Sequence, residues 1–307
     1  MSTPFLSVKP ELVLDANLIS SNVLENDYPV WAVGDTTINL GDRRMVLAEN
    51  VHLVYESLVN ANIGFNPLNE PQVPPKWVLV GKTNKFRMFD EFVTSFTQNL
   101  ESITFSVKNL NMVTAIGFLN ADFSSIQVVG VDNNQGIFYD STVSGTSEAG
   151  IVDEYAWCWG AIQKVRDIAF TDIPPFFNAT FNITISAPGY SAKCGAFIAG
   201  QSREYGAVRF GAATGIVDYS KKQIDQWGNY SFVEGPFSKE LGCEMHINND
   251  QIDAVQYDLA ELRAIPALYI GSNLYGSTII WGKYDRFKNV IAYPTESLMS
   301  MELQGLI

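Results

Sequence analysis

Residues 102–131 read SITFSVKNLNMVTAIGFLNADFSSIQVVGV. Ile103, Phe105 and Val107 alternate with Thr104 and Ser106, the two-residue period of a strand that turns one face to a core. Two further apolar runs follow, residues 113–119 and 126–131, each bounded by Asn, Asp, Gly or Ser. Short runs separated by turn residues predict an antiparallel sandwich rather than alternating strand and helix. The same texture continues through residues 136–140, 154–159, 167–170, 179–186 and 193–200, with Pro174 and Pro175 marking a loop. A β-sandwich over residues 85–206 is the expectation.

The layout of this stretch is similar to galactose-binding-like jelly rolls, in which a late strand returns beside an early one. Such folds host sugar binding and pure assembly roles alike, so the resemblance leaves function open.

Upstream, residues 28–84 predict a small β module. Tyr28-Pro29-Val30-Trp31-Ala32-Val33-Gly34-Asp35 reads as an extended strand and turn, and residues 55–81, YESLVNANIGFNPLNEPQVPPKWVLVG, as strand, Asn-rich turn, Pro-rich loop and strand. So small a sheet needs large aromatics as its core, and Trp31, Tyr55 and Trp77 are the candidates. The order Tyr-x-Ser-Leu, Asn-x-Gly, Asn-Pro, Trp-Val-x-x-Gly resembles the chitin-binding-like carbohydrate modules of secreted glycosidases and bacteriophage tail proteins. That resemblance implies sugar contact by Tyr55, Asn62 and Trp77. The residues themselves also allow a structural role, with Tyr55 and Trp77 in the core and Asn62 holding a turn. The loop 68–76 carries no aromatic for stacking on a sugar.

Downstream, residues 207–307 predict an α+β domain. Strands are expected at residues 207–211, 215–220, 230–233 and 241–247, with Trp227-Gly228-Asn229 as a hairpin turn. Asn248-Asn249-Asp250 supplies capping residues for the one clear helix. Ile252, Val255, Leu259 and Leu262 then give it a single apolar face until Pro266 ends it. Residues 267–270, 277–281, 287–293 and 300–303 predict further strands. Residues 1–27 read as an arm, too apolar at Leu12-Val13-Leu14 and Leu18-Ile19 to stand free, that packs on its own chain or a neighbouring subunit.

The chain has 307 residues, a formal net charge of −13 and a pI near 4.6. Without a Lys/Arg cluster, this balance argues against duplex nucleic acid as a partner. Neither a signal peptide nor an apolar run of membrane-spanning length is read in the sequence, so no membrane insertion is expected. Cys158, Cys194 and Cys243 are widely spaced and odd in number, which predicts buried free thiols.

The sequence contains no H-E-x-x-H, G-x-S-x-G or G-x-x-x-x-G-K-[ST]. His52 and His246 each fall in a strand-like run and are expected to be structural. Asp153-Glu154 beside Trp157 and Trp159 reads either as an acid next to a sugar-stacking wall or as a loop edge before a core strand. Asp132-Asn133-Asn134-Gln135-Gly136 reads as a tight turn more simply than as a calcium loop. No catalytic residue, metal or cofactor is predicted.

The order of small carbohydrate-like module, β-sandwich and α+β end domain resembles a group of tailed-bacteriophage virion proteins. That resemblance implies a non-enzymatic structural protein of the tail, collar or fibre-attachment region. It would form a symmetric homo-oligomer beside other virion proteins and touch host surface glycans through the small module. A carbohydrate-active enzyme or lectin, such as a polysaccharide depolymerase or its binding subunit, is the alternative from another class.

Overall fold

The structure, a computed structural model, describes residues 4–35, 37–69, 73–108, 110–147, 153–160, 163–224 and 226–306. The chain is mainly β, with several antiparallel sheets and one clear helix near its C-terminus. Its first two strands, β1 (Pro4–Val8) and β2 (Leu18–Ser21), do not form an arm of their own. Each is built into a sheet formed by residues far along the chain, as described below.

The small module is a three-stranded sheet of β3 (Arg43–Ala48), β4 (Val51–Ser57) and β5 (Trp77–Lys82), in that order. Ile38, Val46, Tyr55 and Trp77 form its core, and Trp31 packs against them. Three strands expose too much surface for aliphatic side chains alone to suffice, so two large rings fill the interior. The stretch read as a strand at Tyr28–Asp35 is instead a single bridge, Val30 to Met45, followed by a turn in which the Ala32 amide donates to Asp35 Oδ2 at 3.2 Å.

The sandwich joins a five-stranded sheet to a three-stranded one. Strands β6 (Thr97–Val107), β8 (Ser125–Asp132) and β9 (Gly136–Ser144) combine with β2 and the long β13 (Thr180–Cys194) in the order β2-β6-β13-β8-β9. Strand β13 thus returns between two early strands. The facing sheet is β12-β7-β14, from β7 (Ala115–Leu119), β12 (Ile168–Phe170) and β14 (Ala196–Gly200). Ile103, Phe105 and Val107 point inward with Phe181, Ile183 and Ile185, and meet Phe118, Phe170 and Phe197 across the core. Phe105 and Phe118 both contact Phe197, at ring-centroid distances of 5.1 and 5.5 Å. The short pair β10 (Thr146–Ser147) and β11 (Gln163–Lys164) flanks a helical turn, α1 (Glu154–Trp159). This overturns the strand expected at residues 154–159.

The C-terminal strands are β15 (Ser202–Val208), β16 (Ala213–Asp218), β17 (Lys221–Ile224), β18 (Tyr230–Val233), β19 (Phe237–Asn248), β20 (Ala267–Ile270), β21 (Ile279–Val290) and β22 (Glu296–Gly305). The main sheet runs β15-β1-β20-β21-β22-β19-β16, and β15 also pairs with β19. Six strands therefore close on themselves as a barrel, with β16 left outside on the edge of β19. N-terminal strand β1 sits in the wall, between β15 and β20. One side of the barrel is closed by α2 (Ile252–Glu261), which buries Val255 and Leu259 against Phe5, Tyr205, Tyr269 and Met299. Full burial of such side chains contributes roughly 1.5–3 kcal/mol each. Leu262 continues that apolar stripe, and Tyr284 Oη donates to the Leu259 carbonyl at 2.8 Å. The Asn cap expected at the other end is not used: Asn249 Nδ2 donates to the Tyr293 and Pro294 carbonyls, both at 2.9 Å.

Barrel and sandwich pack against each other through a further apolar cluster. Along β21, Ile280 faces the barrel core, while Ile279 and Trp281 face outward onto Ala115, Leu119, Ala196 and Ile198. The three-stranded sheet is thus covered on both faces, which explains why Ala115–Leu119 and Ala196–Gly200 are continuous apolar runs without alternation.

Candidate functional site

The three residues expected to contact sugar lie inside the small module. Tyr55, Asn62 and Trp77 are 9%, 0% and 3% exposed. Trp77 Nε1 donates to the Phe65 carbonyl at 2.9 Å, and Asn62 Nδ2 donates to Ser57 Oγ at 3.0 Å and the Lys76 carbonyl at 3.1 Å. A ring packed in a core offers no face for stacking, so these residues hold the module together. This corrects their reading as a glycan site.

His52 is structural, as expected, but through charged partners that local sequence did not reveal. Its Nε2 lies 2.7 Å from Asp15 Oδ1 and its Nδ1 2.7 Å from Glu25 Oε1, while its ring stacks on Phe86 at 3.7 Å. Each ring nitrogen thus lies within hydrogen-bond distance of a carboxylate oxygen. Burial pushes the Asp15 carboxyl up, but the Asn50 amide and His52 outweigh it and hold the group below its usual range. Thr83 Oγ1 donates to Glu25 at 2.6 Å and fixes the second carboxylate. The cluster fastens the segment after β1 to strand β4. His246 lies on β19, with Nδ1 3.7 Å from Glu296 Oε2, beyond hydrogen-bond reach.

Asp132 Oδ2 accepts the amides of Asn134 and Gln135 at 2.8 and 3.0 Å, the geometry of a tight turn. Among the described residues, no group of three or more His, Cys, Asp or Glu side chains is placed to hold a metal ion. Nor is any helix among them long and apolar enough to cross a membrane. Cys194 and Cys243 are buried, and burial pushes each thiol up to about 12; Cys158 is exposed, contrary to expectation.

Three surface features stand out. Helix α1 carries Tyr155, Trp157 and Trp159 at 74%, 74% and 77% exposure, beside Asp153 and Glu154. The reading of this stretch as a core strand therefore fails, and its aromatic side chains face solvent. A second feature is the hairpin of β17 and β18, exposed along all eight strand positions. Ile224, Trp227, Tyr230 and Phe232 project from it, each well over half exposed. The third is a cleft of 490 Å³ between the small sheet and the start of the sandwich, lined in part by Arg43, Lys82, Arg87 and Asp90. Burial pushes the Lys82 ammonium down against the pull of Asp90 and Glu91. It pushes the Asp90 carboxyl up, against hydrogen bonds from Ser95 and the Phe92 amide. Opposite shifts in one cleft mark it as a place where charge has been taken out of water. Neither the hairpin nor the cleft was foreseen as a site; the signal for the hairpin was an apolar content too high for a two-stranded element.

Comparison with protein-family models, curated proteins and solved structures finds no match to this chain.

Proposed function

We propose that this chain is a non-enzymatic structural subunit that associates with further copies of itself through the hairpin of β17 and β18. The single observation that carries this reading is the state of that hairpin: every strand position is exposed in the isolated chain, and one face carries Ile224, Tyr230 and Phe232. A two-stranded hairpin alone in water is marginal at best, and one this rich in aromatics loses free energy until it is covered. A second copy suits it on two counts. Lys221 and Lys222 give the hairpin a local positive charge in a chain whose net charge is −13, so it is complementary to the acidic surface of another copy at close range, against the long-range repulsion of the two net charges. The small module also presents an apolar edge strand, with Val78, Leu79 and Val80 at 44%, 54% and 45% exposure, open on the side away from β4.

The sequence resemblance directs this assembly role to a tailed-bacteriophage virion, in its tail, collar or fibre-attachment region, beside other virion proteins. Mass spectrometry of purified virions tests the placement: the chain is expected at a fixed copy number, and its restriction to the non-particle fraction of infected cells overturns it. The alternative of a carbohydrate-active enzyme draws its support from Trp157 and Trp159 next to Asp153 and Glu154 on the surface. Release of reducing ends from bacterial polysaccharide would favour that alternative.

A further inference from the structure

The cleft between the small sheet and the sandwich combines three features that the assembly role does not use. Its lining brings Arg43, Lys82 and Arg87 together with a single carboxylate, Asp90, in a chain that is otherwise strongly acidic. Glu56 and Asp27 hold Arg43 and Arg87 from outside the lining, at 2.9 and 3.5 Å. Donors remain to spare. Lys82 Nζ spends one of its N–H groups on the Phe89 carbonyl at 3.0 Å, and Arg87 Nε donates to the Lys82 carbonyl at 3.2 Å. A guanidinium has five N–H donors and an ammonium three, so both groups can accept a further anion.

The second feature is Phe92, which also lines the cleft and is 62% exposed. Its loop is fixed in place. Asp90 Oδ1 accepts the Phe92 amide at 2.8 Å, Asp90 Oδ2 accepts Ser95 Oγ at 2.8 Å, and Ser95 Oγ also lies 3.3 Å from the Phe92 carbonyl. These bonds fix the backbone that carries an exposed ring on the cleft lining, which lowers the cost of presenting it to a ligand. The third feature is the half-buried Lys82: a cation partly stripped of water gains more from an incoming anion than a solvated one does.

We propose that this cleft binds an acidic saccharide, its carboxylate on Lys82 and Arg87 and a sugar ring on the face of Phe92. An inorganic anion would meet the cations but leave Phe92 idle. A neutral sugar would stack but leave the spare N–H donors of Lys82 and Arg87 without a charged acceptor from the ligand. The proposal does not need the assembly reading, because a monomeric chain would bind; the two share strand β5, whose Val80 and Lys82 line the cleft.

Calorimetry on the full chain tests it with three probes: a hexuronate trisaccharide, its neutral hexose counterpart and inorganic phosphate. The uronate is expected to bind more tightly than either. Phe92→Ala should weaken it about three- to tenfold, the loss of one stacking contact. Arg87→Gln should weaken it about ten- to a hundredfold, the loss of a charge-assisted contact. Circular dichroism verifies the fold of each variant; should Arg87→Gln unfold, Phe92→Ala, at an exposed position, still decides. No uronate binding, binding no tighter than that of phosphate or the neutral sugar, or unchanged uronate affinity in Phe92→Ala would overturn the proposal.

Discussion

His52 Nε2 lies 2.7 Å from Asp15 Oδ1, and this contact ties the segment after the first barrel strand to the small module's central strand. With Glu25 on the other ring nitrogen, the imidazole is the meeting point of segments 27 and 37 residues away. His52→Ala leaves two carboxylates facing each other and removes the ring stacked on Phe86. A loss of about 1–3 kcal/mol is expected, reduced toward the lower figure by the partial exposure of Asp15. Urea denaturation measures it, and hydrogen exchange should locate the loosening at residues 43–57.

The same contact sets a pH dependence. Asp15 titrates below its usual carboxylate range in the folded chain, so its contribution to stability is complete above that range and is lost as pH falls through the lowered folded value. Asp90 has the opposite sign: its raised carboxyl contributes most below the usual range, and that contribution fades as pH rises through the folded value. Denaturation midpoints of Asp15→Asn, followed from neutral to acid pH, should fall less steeply on the acid limb than those of the parent. An unchanged acid limb would show that Asp15 does not carry this dependence.

Gly117 and Leu268 meet where the sandwich lies on the barrel. A Cβ at Gly117 would overlap the Leu268 Cδ2 methyl, and Leu268 is fully buried. Gly117→Ala is expected to destabilise by about 1–3 kcal/mol through overpacking. In combination with Leu268→Ala the two costs should sum to less than their separate values, because the cavity made by one receives the methyl of the other. Additive costs in the double-mutant cycle would deny the contact.

Thiol titration separates the three cysteines. Under native conditions at neutral pH only Cys158 should react with a thiol reagent, since Cys194 and Cys243 are buried and their thiols stay protonated. Unfolding should release both. Native reaction of two or more thiols would contradict the burial of Cys194 and Cys243.

Much of this architecture was legible in sequence because it is local. The alternation at Ile103, Phe105 and Val107 and the spacing of Ile252, Val255, Leu259 and Leu262 are periodic signals, and both elements form where expected. Partnerships across the chain were not legible. Pro4–Val8 reads as part of an arm because its strand partners, residues 202–207 and 268–270, lie at the other end of the sequence. Glu154–Trp159 reads as a strand because six residues rich in aromatics satisfy either pattern; the segment is a helical turn with Tyr155, Trp157 and Trp159 exposed. Tyr55 and Trp77 were correctly singled out as core, and the same burial removes them as sugar contacts. The cleft of Lys82, Arg87 and Asp90 stayed hidden for a different reason. Its residues are close in sequence, but the desolvation that shifts Lys82 and Asp90 depends on how the sandwich packs against the small sheet.

The mass of the full chain in solution tests the central claim most directly. Light scattering after size exclusion is predicted to give a multiple of 34.0 kDa that falls to 34.0 kDa when Trp227→Ser and Phe232→Lys remove two of the hairpin's exposed aromatic rings. A parent chain that stays at 34.0 kDa across the accessible concentration range, or an oligomer indifferent to both substitutions, would contradict it.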